Sequence, residues 1–434
     1  MEQLSVFWFR RDLRIDDNVG LYRALKSGNK VLPIFIFDSE ILDKLPSKKD
    51  ARLEMIHTAL GKLSDAMTEN KCNVGMYRGK PKAVFENLLK KYNIKKVFTN
   101  HDYEPYAIAR DEEIKNLLNK KGVAFETFKD QVIYEKSEIT KDDGSPYRVY
   151  TPYSNKWILR MRADGIPNYE SQYNLENLAP LLQPQLELKD LGFEKTERLY
   201  PKYVLNRAII DNYEATRDYP ALDQTSRTGC HLRFGTLSIR KMVSDAAMAD
   251  NHTFLKELIW REFFMQILWH FPNTTNQCFK PKYERIEWRN NEDEFKKWCE
   301  GKTGYPLVDA GMRELNETGF MHNRVRMLTG SFLCKHLLID WRWGEAYFAQ
   351  KLLDYEQASN VGNWQWVSGC GVDSSPYFRI FNPTQQIKKF DQRMKYIEKW
   401  VPEFQEPSYP TPIVEHKFAR ERCVETYKAA VNSE

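Results

Sequence analysis

The chain has 434 residues, a formal net charge of +5, 42% hydrophobic residues and 13% aromatics, so a folded protein of two domains is expected. No run of about 18 apolar residues is present, which excludes a hydrophobic membrane-spanning helix, and the mild charge does not by itself select a nucleic-acid partner. The 7 cysteines are scattered without a C-x-x-C pair, and apolar residues 4–9 run into Arg10-Arg11-Asp12-Leu13-Arg14 with no cleavage site, which together suggest a reducing, cytoplasmic compartment rather than export.

Short β-rich runs at 4–9, 31–37, 73–78, 96–100 and 123–128 alternate with segments of helical period such as Leu53, Ile56, Leu60, Leu63 and Met67. This predicts an α/β domain over 1–130 with a five-stranded, parallel, doubly wound sheet. No G-x-G-x-x-G follows any strand, so the dinucleotide fingerprint is missing. Residues 131–195, with Lys-Asp-Asp-Gly-Ser-Pro at 141–146, Tyr-Thr-Pro-Tyr at 150–153 and Leu-Gln-Pro-Gln at 182–185, read as a long connection between domains. From 196 to 434, helical period at 254–270, 306–317, 322–338 and 344–354 predicts an all-α domain.

Within that domain Thr225, Ser226, Arg227, Thr228 and Gly229 form a hydroxyl-rich loop before a helical segment, suited either to gripping a pyrophosphate or to simple capping. Helix 254–270 places Glu257, Trp260, Arg261, Phe264 and Leu268 on one stripe. Among aromatic rings Glu257 would keep a raised pKa and donate a proton or hydrogen bond; alternatively it pairs with Arg261 one turn on. In Met321-His-Asn-Arg-Val-Arg-Met327 the amide of Asn323 and thioether of Met327 share a face while Arg324 and Arg326 project elsewhere, a set suited to a flat polar ring beside a phosphate backbone, or to capping and solvated charge. Most of the 11 tryptophans lie beyond residue 250; Trp288, Trp341 and Trp364 raise the question of electron transfer, the alternative being an aromatic core. No histidine stands at metal-ligand spacing, and no metal is expected.

These segments together resemble the photolyase/cryptochrome family, nearest its class I cyclobutane pyrimidine dimer photolyases. The likeness runs from Phe7-Trp8-Phe9-Arg10-Arg11-Asp12-Leu13-Arg14 through Thr225-Ser226-Arg227, Glu257 to Phe263, Gly301 to Pro306, Met321 to Met327, Asn360 to Trp366 and Phe378 to Pro383, ending at Pro412 to Lys417. The resemblance implies FAD, active in its reduced form, held by Tyr213, Thr225, Ser226, Arg227, Thr228, Gly229, Phe254, Arg326, Asp354, Tyr355, Glu356 and Asn360. Gly229, Glu356 and Phe254 stand where some relatives have Ser, Asp and Trp. Asn360 matches the residue facing the flavin N5, and Trp364, Trp341 and Trp288 match the chain that brings an electron in from the surface. UV-damaged DNA is the implied partner, contacted by Glu257, Trp260, Arg261, Asn323, Arg324, Met327, Trp366, Arg217, Arg379 and Gln386. The implied activity is light-driven repair of cyclobutane pyrimidine dimers by a cytoplasmic, bacterial-type monomer. Asn323 and Met327 favour that lesion over (6-4) photoproducts, whose repair enzymes place histidines at both positions. A cryptochrome-type blue-light photoreceptor is the other alternative, and retention of Glu257 argues against it. The resemblance also leaves open a second, light-harvesting chromophore in the α/β domain: folate, deazaflavin, a flavin or none. Asn100 to Tyr106 and Arg52 sit nearer the deazaflavin pattern.

Overall fold

A computed structural model describes residues 2–196 and 202–432. Residues 197–201, 433 and 434 of the expected helical domain lie outside the described residues. The chain forms two compact units: Met1–Glu138, Ile158–Tyr203 and Arg227–Met248 make the first, and Ile139–Trp157, Val204–Ser226 and Ala249–Glu434 the second. The chain thus enters each unit more than once, where sequence alone suggests single cuts near 130 and 195.

In the first unit β1 (Gln3–Phe9), β2 (Lys30–Asp38), β3 (Gly75–Gly79), β4 (Asn93–Asn100) and β5 (Ala124–Phe128) form a 5-stranded sheet of order β3-β2-β1-β4-β5, every pair parallel. The apolar runs of β1 and β2 are nearly continuous because both faces are covered. One face buries Leu4, Val6, Trp8, Leu32, Ile34 and Ile36 against Phe85 and Leu88. The connecting helices are α1 (Val19–Leu25), α2 (Ala51–Ala66), α3 (Pro81–Lys91) and α4 (Pro105–Asn119). Asn18 and Asp50 cap α1 and α2 through their side chains, while α3 and α4 start on prolines that need no donor.

A buried ion network ties the segments of this unit together. Arg240 holds both carboxylate oxygens of Asp17 at 3.0 and 2.9 Å, and Arg240 and Arg14 converge on Asp130 at 2.9 and 2.8 Å. Burial pushes the Asp130 pKa up, but the two guanidinium groups outweigh it and hold the carboxyl below its ordinary value.

The segment expected as plain connection contains a helix, α5 (Tyr150–Asp164). Its signal is the spacing of Tyr150, Tyr153, Trp157 and Met161, all buried, which the turn residues around Pro152 obscure. Beyond it come α6 (Arg207–Thr216), α7 (Thr253–His270), α8 (Pro306–Thr318), α9 (Asn323–Ser331), α10 (Trp341–Lys351), α11 (Gln357–Ser368) and α12 (Pro383–Phe390). The second unit is helical, as the periodicity predicts, around a core containing Trp298, Trp341, Trp364, Phe332 and Phe348. Two of these helices differ from the sequence reading by more than one residue, α9 and α10, the latter ending at Lys351 rather than 354. The 322–338 run is α9 followed by a π-helical turn at Phe332–His336, closed by Leu338 at φ 49°. Helix α10 starts at Trp341, not 344, because Asp340 caps it by accepting from the Arg342 N–H at 3.0 Å. No helix among the described residues is long and apolar enough to cross a membrane.

Arg240→Ala leaves two buried carboxylates short of a partner; it is expected to cost about 3–5 kcal/mol, read as a lower urea midpoint with an unchanged slope.

Candidate active site

Helices α9, α10 and α11 and the chain between the last two surround a cavity in the second unit. Of the residues expected to hold a flavin, Arg326, Asp354, Tyr355, Glu356 and Asn360 line it, together with Asn323 and Met327 of the lesion set and Trp364. Its volume is about 100 Å³, below the ~300 Å³ of ordinary cofactor pockets, so a dinucleotide must extend past these residues. The lining fits a flavin in kind: aromatic walls from Tyr355, Phe348 and Trp364, with a charged pair and amides at the edge.

Each polar side chain there is fixed by a neighbour. Arg326 and Asp354 form a two-pronged pair at 3.1 and 2.8 Å. Glu356 caps α11, accepting from the Ser359 N–H. Asn360 donates its amide hydrogens to Glu345, at 2.8 Å to Oε1 and 3.2 Å to the backbone carbonyl. Both donor positions are thereby used, leaving Oδ1 as the accepting atom. Burial pushes the Glu345 carboxyl above its ordinary value, against the Asn360 hydrogen bond. Nothing in the sequence pattern singles out Glu345; its partner is 15 residues away on another helix.

Tyr213 and Phe254, also expected at the flavin, meet edge to face at 5.2 Å. Thr225 and Ser226 belong to the second unit, while Arg227, Thr228 and Gly229 belong to the first. Arg227 takes a left-handed φ of 52°, and the Thr228 side chain makes no capping hydrogen bond to the short helix that follows.

On α7, Glu257 accepts a hydrogen bond from the Arg217 guanidinium, 40 residues away in sequence. Burial pushes the Glu257 carboxyl above its ordinary value, Arg217 pulls against this, and Asp218 adds to the rise. Trp260 lies one turn on, stacked on Tyr150 at 3.6 Å between centroids and 5° between planes. The Tyr150 hydroxyl donates to the Lys256 carbonyl at 2.6 Å, fixing this aromatic wall from behind. Arg261 is half-buried on the same helix. On α9, Asn323 and Arg324 both reach the Met327 sulfur at 3.9 Å, so the expected amide and thioether do share a face. Arg324 pairs with Asp218 and lies 4.3 Å over the Phe390 ring. Tyr150 and Asp218 escape a reading by sequence because both act across distant elements. Trp366 is half-buried on α11, Arg379 is exposed before α12 with its carbonyl accepting from Lys335, and Gln386 is half-buried on α12.

Trp364 and Trp341 are buried in one core cluster, and Trp288 packs partly exposed against it. Room for Trp364 comes from Gly344 on α10, where a methyl group would overlap the indole. The Trp341 Nε1 is buried with no hydrogen-bond partner.

In the first unit Tyr106 donates to Asp38 at 2.5 Å and Arg52 holds Asp50, so both side chains named for a chromophore are engaged within the protein. A cavity of about 460 Å³ lies beside α2, lined by Ala51, Met55 and Ala59 with Leu13, Arg14, Tyr203 and His231.

Residues 5–170 match the family model described as DNA photolyase, and residues 254–408 the one described as FAD binding domain of DNA photolyase. A deoxyribodipyrimidine photo-lyase of Halobacterium salinarum is 34% identical, over 99% of this chain and 100% of its own. The class III photolyase of Agrobacterium tumefaciens superposes with a TM-score of 0.87 at 32% identity, covering 100% of this chain and 98% of that one. An archaeal photolyase of Sulfolobus tokodaii with two FAD molecules, described as implying a novel light-harvesting cofactor, gives 0.85 at 33% identity over 98% and 99% of the two chains.

Gly344→Ala forces its methyl into Trp364; it is expected to cost ~1–3 kcal/mol of stability and to lower the flavin retained on purification, measured by denaturant unfolding and by visible absorption.

Proposed function

The chain belongs to the DNA photolyase family, and from that premise we propose that it repairs cyclobutane pyrimidine dimers in DNA, driven by light. The observation that carries this reading is the single cavity lined by Arg326, Asp354 and Asn360 on one hand and by Asn323 and Met327 on the other. Flavin-holding and lesion-contacting side chains there are neighbours, as electron transfer to a flipped-out base requires. FAD, bound and reduced, supplies the light-excited electron; the remaining work belongs to the chain.

Asn360 contributes an acceptor, because Glu345 takes both amide hydrogens. An acceptor oxygen matches an N–H and so favours a flavin whose N5 is protonated, the reduced form. Arg326 and Asp354 offer a donor edge and an acceptor edge for the flavin's polar rim. A damaged dimer is poorly stacked, so extruding it costs only a few kcal/mol, and Trp260 and Trp366 replace the lost stacking. Glu257, protonated, donates to the dimer carbonyl as negative charge arrives there. Trp364, Trp341 and Trp288 relay an electron inward. A buried indole with no acceptor at Nε1, as at Trp341, keeps its proton when oxidised and passes the vacancy on. The protein acts as a cytoplasmic monomer on UV-damaged DNA. The cavity of about 460 Å³ beside α2 is of a size for a planar second chromophore.

Photoreduced protein should break the two cyclobutane C–C bonds of a thymine-dimer oligonucleotide and restore adjacent thymines in the strand in blue light and not in the dark, assayed by chromatography of the intact oligonucleotide. Glu257→Ala is expected to lower the yield per photon roughly tenfold, the worth of one hydrogen bond to a charged group. Trp288→Phe should repair normally after chemical reduction and slowly without it. Recovery of (6-4) lesions alone, or none despite reduced flavin, would overturn the assignment.

A further inference from the structure

The Arg217 and Glu257 side chains are 32% and 34% exposed, so their ion pair lies where a ligand can reach it. The reading above needs both for other tasks: Arg217 on DNA, and Glu257 as a hydrogen-bond donor. A carboxylate paired to a guanidinium carries no proton to donate. We propose that on binding damaged DNA Arg217 leaves Glu257 for a backbone phosphate, and that Glu257 takes up one proton from solvent in the same step. The inference rests on the site being a lesion pocket.

The groups facing Glu257 come from several elements. Arg217 and Asp218 follow α6, Tyr213 lies on α6 and Tyr150 on α5, and Arg261 is one turn on along α7 itself. Asp218 is held in turn by Arg324 from α9. Of these, Arg217 keeps the carboxyl charged, while burial and Asp218 favour its neutral form. The Tyr150 and Tyr213 phenols are pushed above their ordinary range, chiefly by burial, and stay neutral. When Arg217 departs, the principal opposition to protonation goes with it, and a docked base excludes water further. A phosphate is a suitable new partner because it offers the guanidinium the same two-oxygen geometry as a carboxylate. No charge is stranded: the cation ends on a phosphate, and the carboxyl ends neutral and hydrogen-bonded.

Titration calorimetry of the FAD-loaded protein in the dark, with a duplex carrying one thymine dimer, tests this in two buffers of different ionisation enthalpy at one pH. The dependence of heat on buffer should give an uptake of about one proton for the wild type and near zero for Glu257→Gln. Arg217→Gln, which removes the cation beforehand, should take up less than the wild type while still preferring the damaged duplex. The wild-type Kd should rise by up to tenfold per pH unit across the window between the free and bound pKa of Glu257, and that of Glu257→Gln should stay flat. Preferential binding without uptake, or an unchanged uptake in Glu257→Gln, overturns the exchange alone. No preference for damaged over undamaged duplex overturns the reading of the pocket and the exchange with it.

Discussion

Helix α11 is held between two neighbours by the absence of side chains. Gly362 faces Phe264 of α7, and Gly344 of α10 faces Trp364; a methyl at either place would overlap the ring. Such contacts fix the helices at backbone distance rather than through adjustable side chains, and close-packed interiors give way little. For the proposed function this matters, because α11 carries Asn360, Trp364 and Trp366, while α7 carries Glu257 and Trp260. With α7, α10 and α11 locked together, the acceptor amide, the inner indole and the aromatic wall share one frame. Asn360 and Trp364, four residues apart, point the same way. Trp366, two further on, turns to another side and is less buried, which suits it to a ligand rather than to the core.

The molecule uses Arg–carboxylate pairs in two ways, separated by burial. In the α/β unit Arg240, Asp17 and Asp130 are almost wholly inside, with side-chain exposures of 5%, 0% and 1%. Removing a partner there strands charge, so the network holds structure and cannot exchange. In the helical unit Arg217–Glu257, Arg324–Asp218 and Arg326–Asp354 are partly exposed. These pairs have more access to water than the network of the α/β unit, so in the proposed exchange a phosphate would take over Arg217 at a lower cost than breaking a fully buried pair. The paired carboxylates keep these arginines oriented.

The sheet was legible because each strand is a short apolar run between turn residues, and all the runs predicted fall within or across observed strands. The helical unit was legible through its period, with its ends set by capping that periodicity ignores, as Asp340 does for α10. Helix α5 was hidden because Pro152 and its polar neighbours look like loop, although its buried face has helical spacing. Site residues were named through resemblance, and the chemistry of each alone left a bland alternative open. For Glu257 the alternative was a local pair with Arg261; the partner found is Arg217. Glu345, Asp218 and Tyr150 were missed for one physical reason. Each acts on a site residue through a contact between separate elements, which no local spacing encodes.

The tryptophans show how a shared residue type divides by its surroundings. Trp157 and Trp298 are fully buried, and their N–H groups donate to Glu262 at 2.7 Å and to the Thr329 carbonyl at 3.1 Å, the arrangement expected of structural indoles. Trp341 is as deeply buried, yet its N–H has no acceptor, a deficit worth about 1–3 kcal/mol. The half-buried Trp400 shares this feature, so an unpaired N–H does not define a relay by itself. What distinguishes Trp341 is its full burial inside the core that holds Trp364, whereas Trp400 only packs against that core; each has a cation 4.8 Å over its ring, Arg342 and Lys399 respectively. The cation over Trp341 raises the cost of leaving a positive vacancy on this indole, and the missing acceptor prevents the vacancy from being trapped by proton loss. In the proposed relay both effects would push the vacancy onward to the partly exposed Trp288, where water could take the proton. In the proposed relay the middle tryptophan is thus built to pass charge and not to keep it.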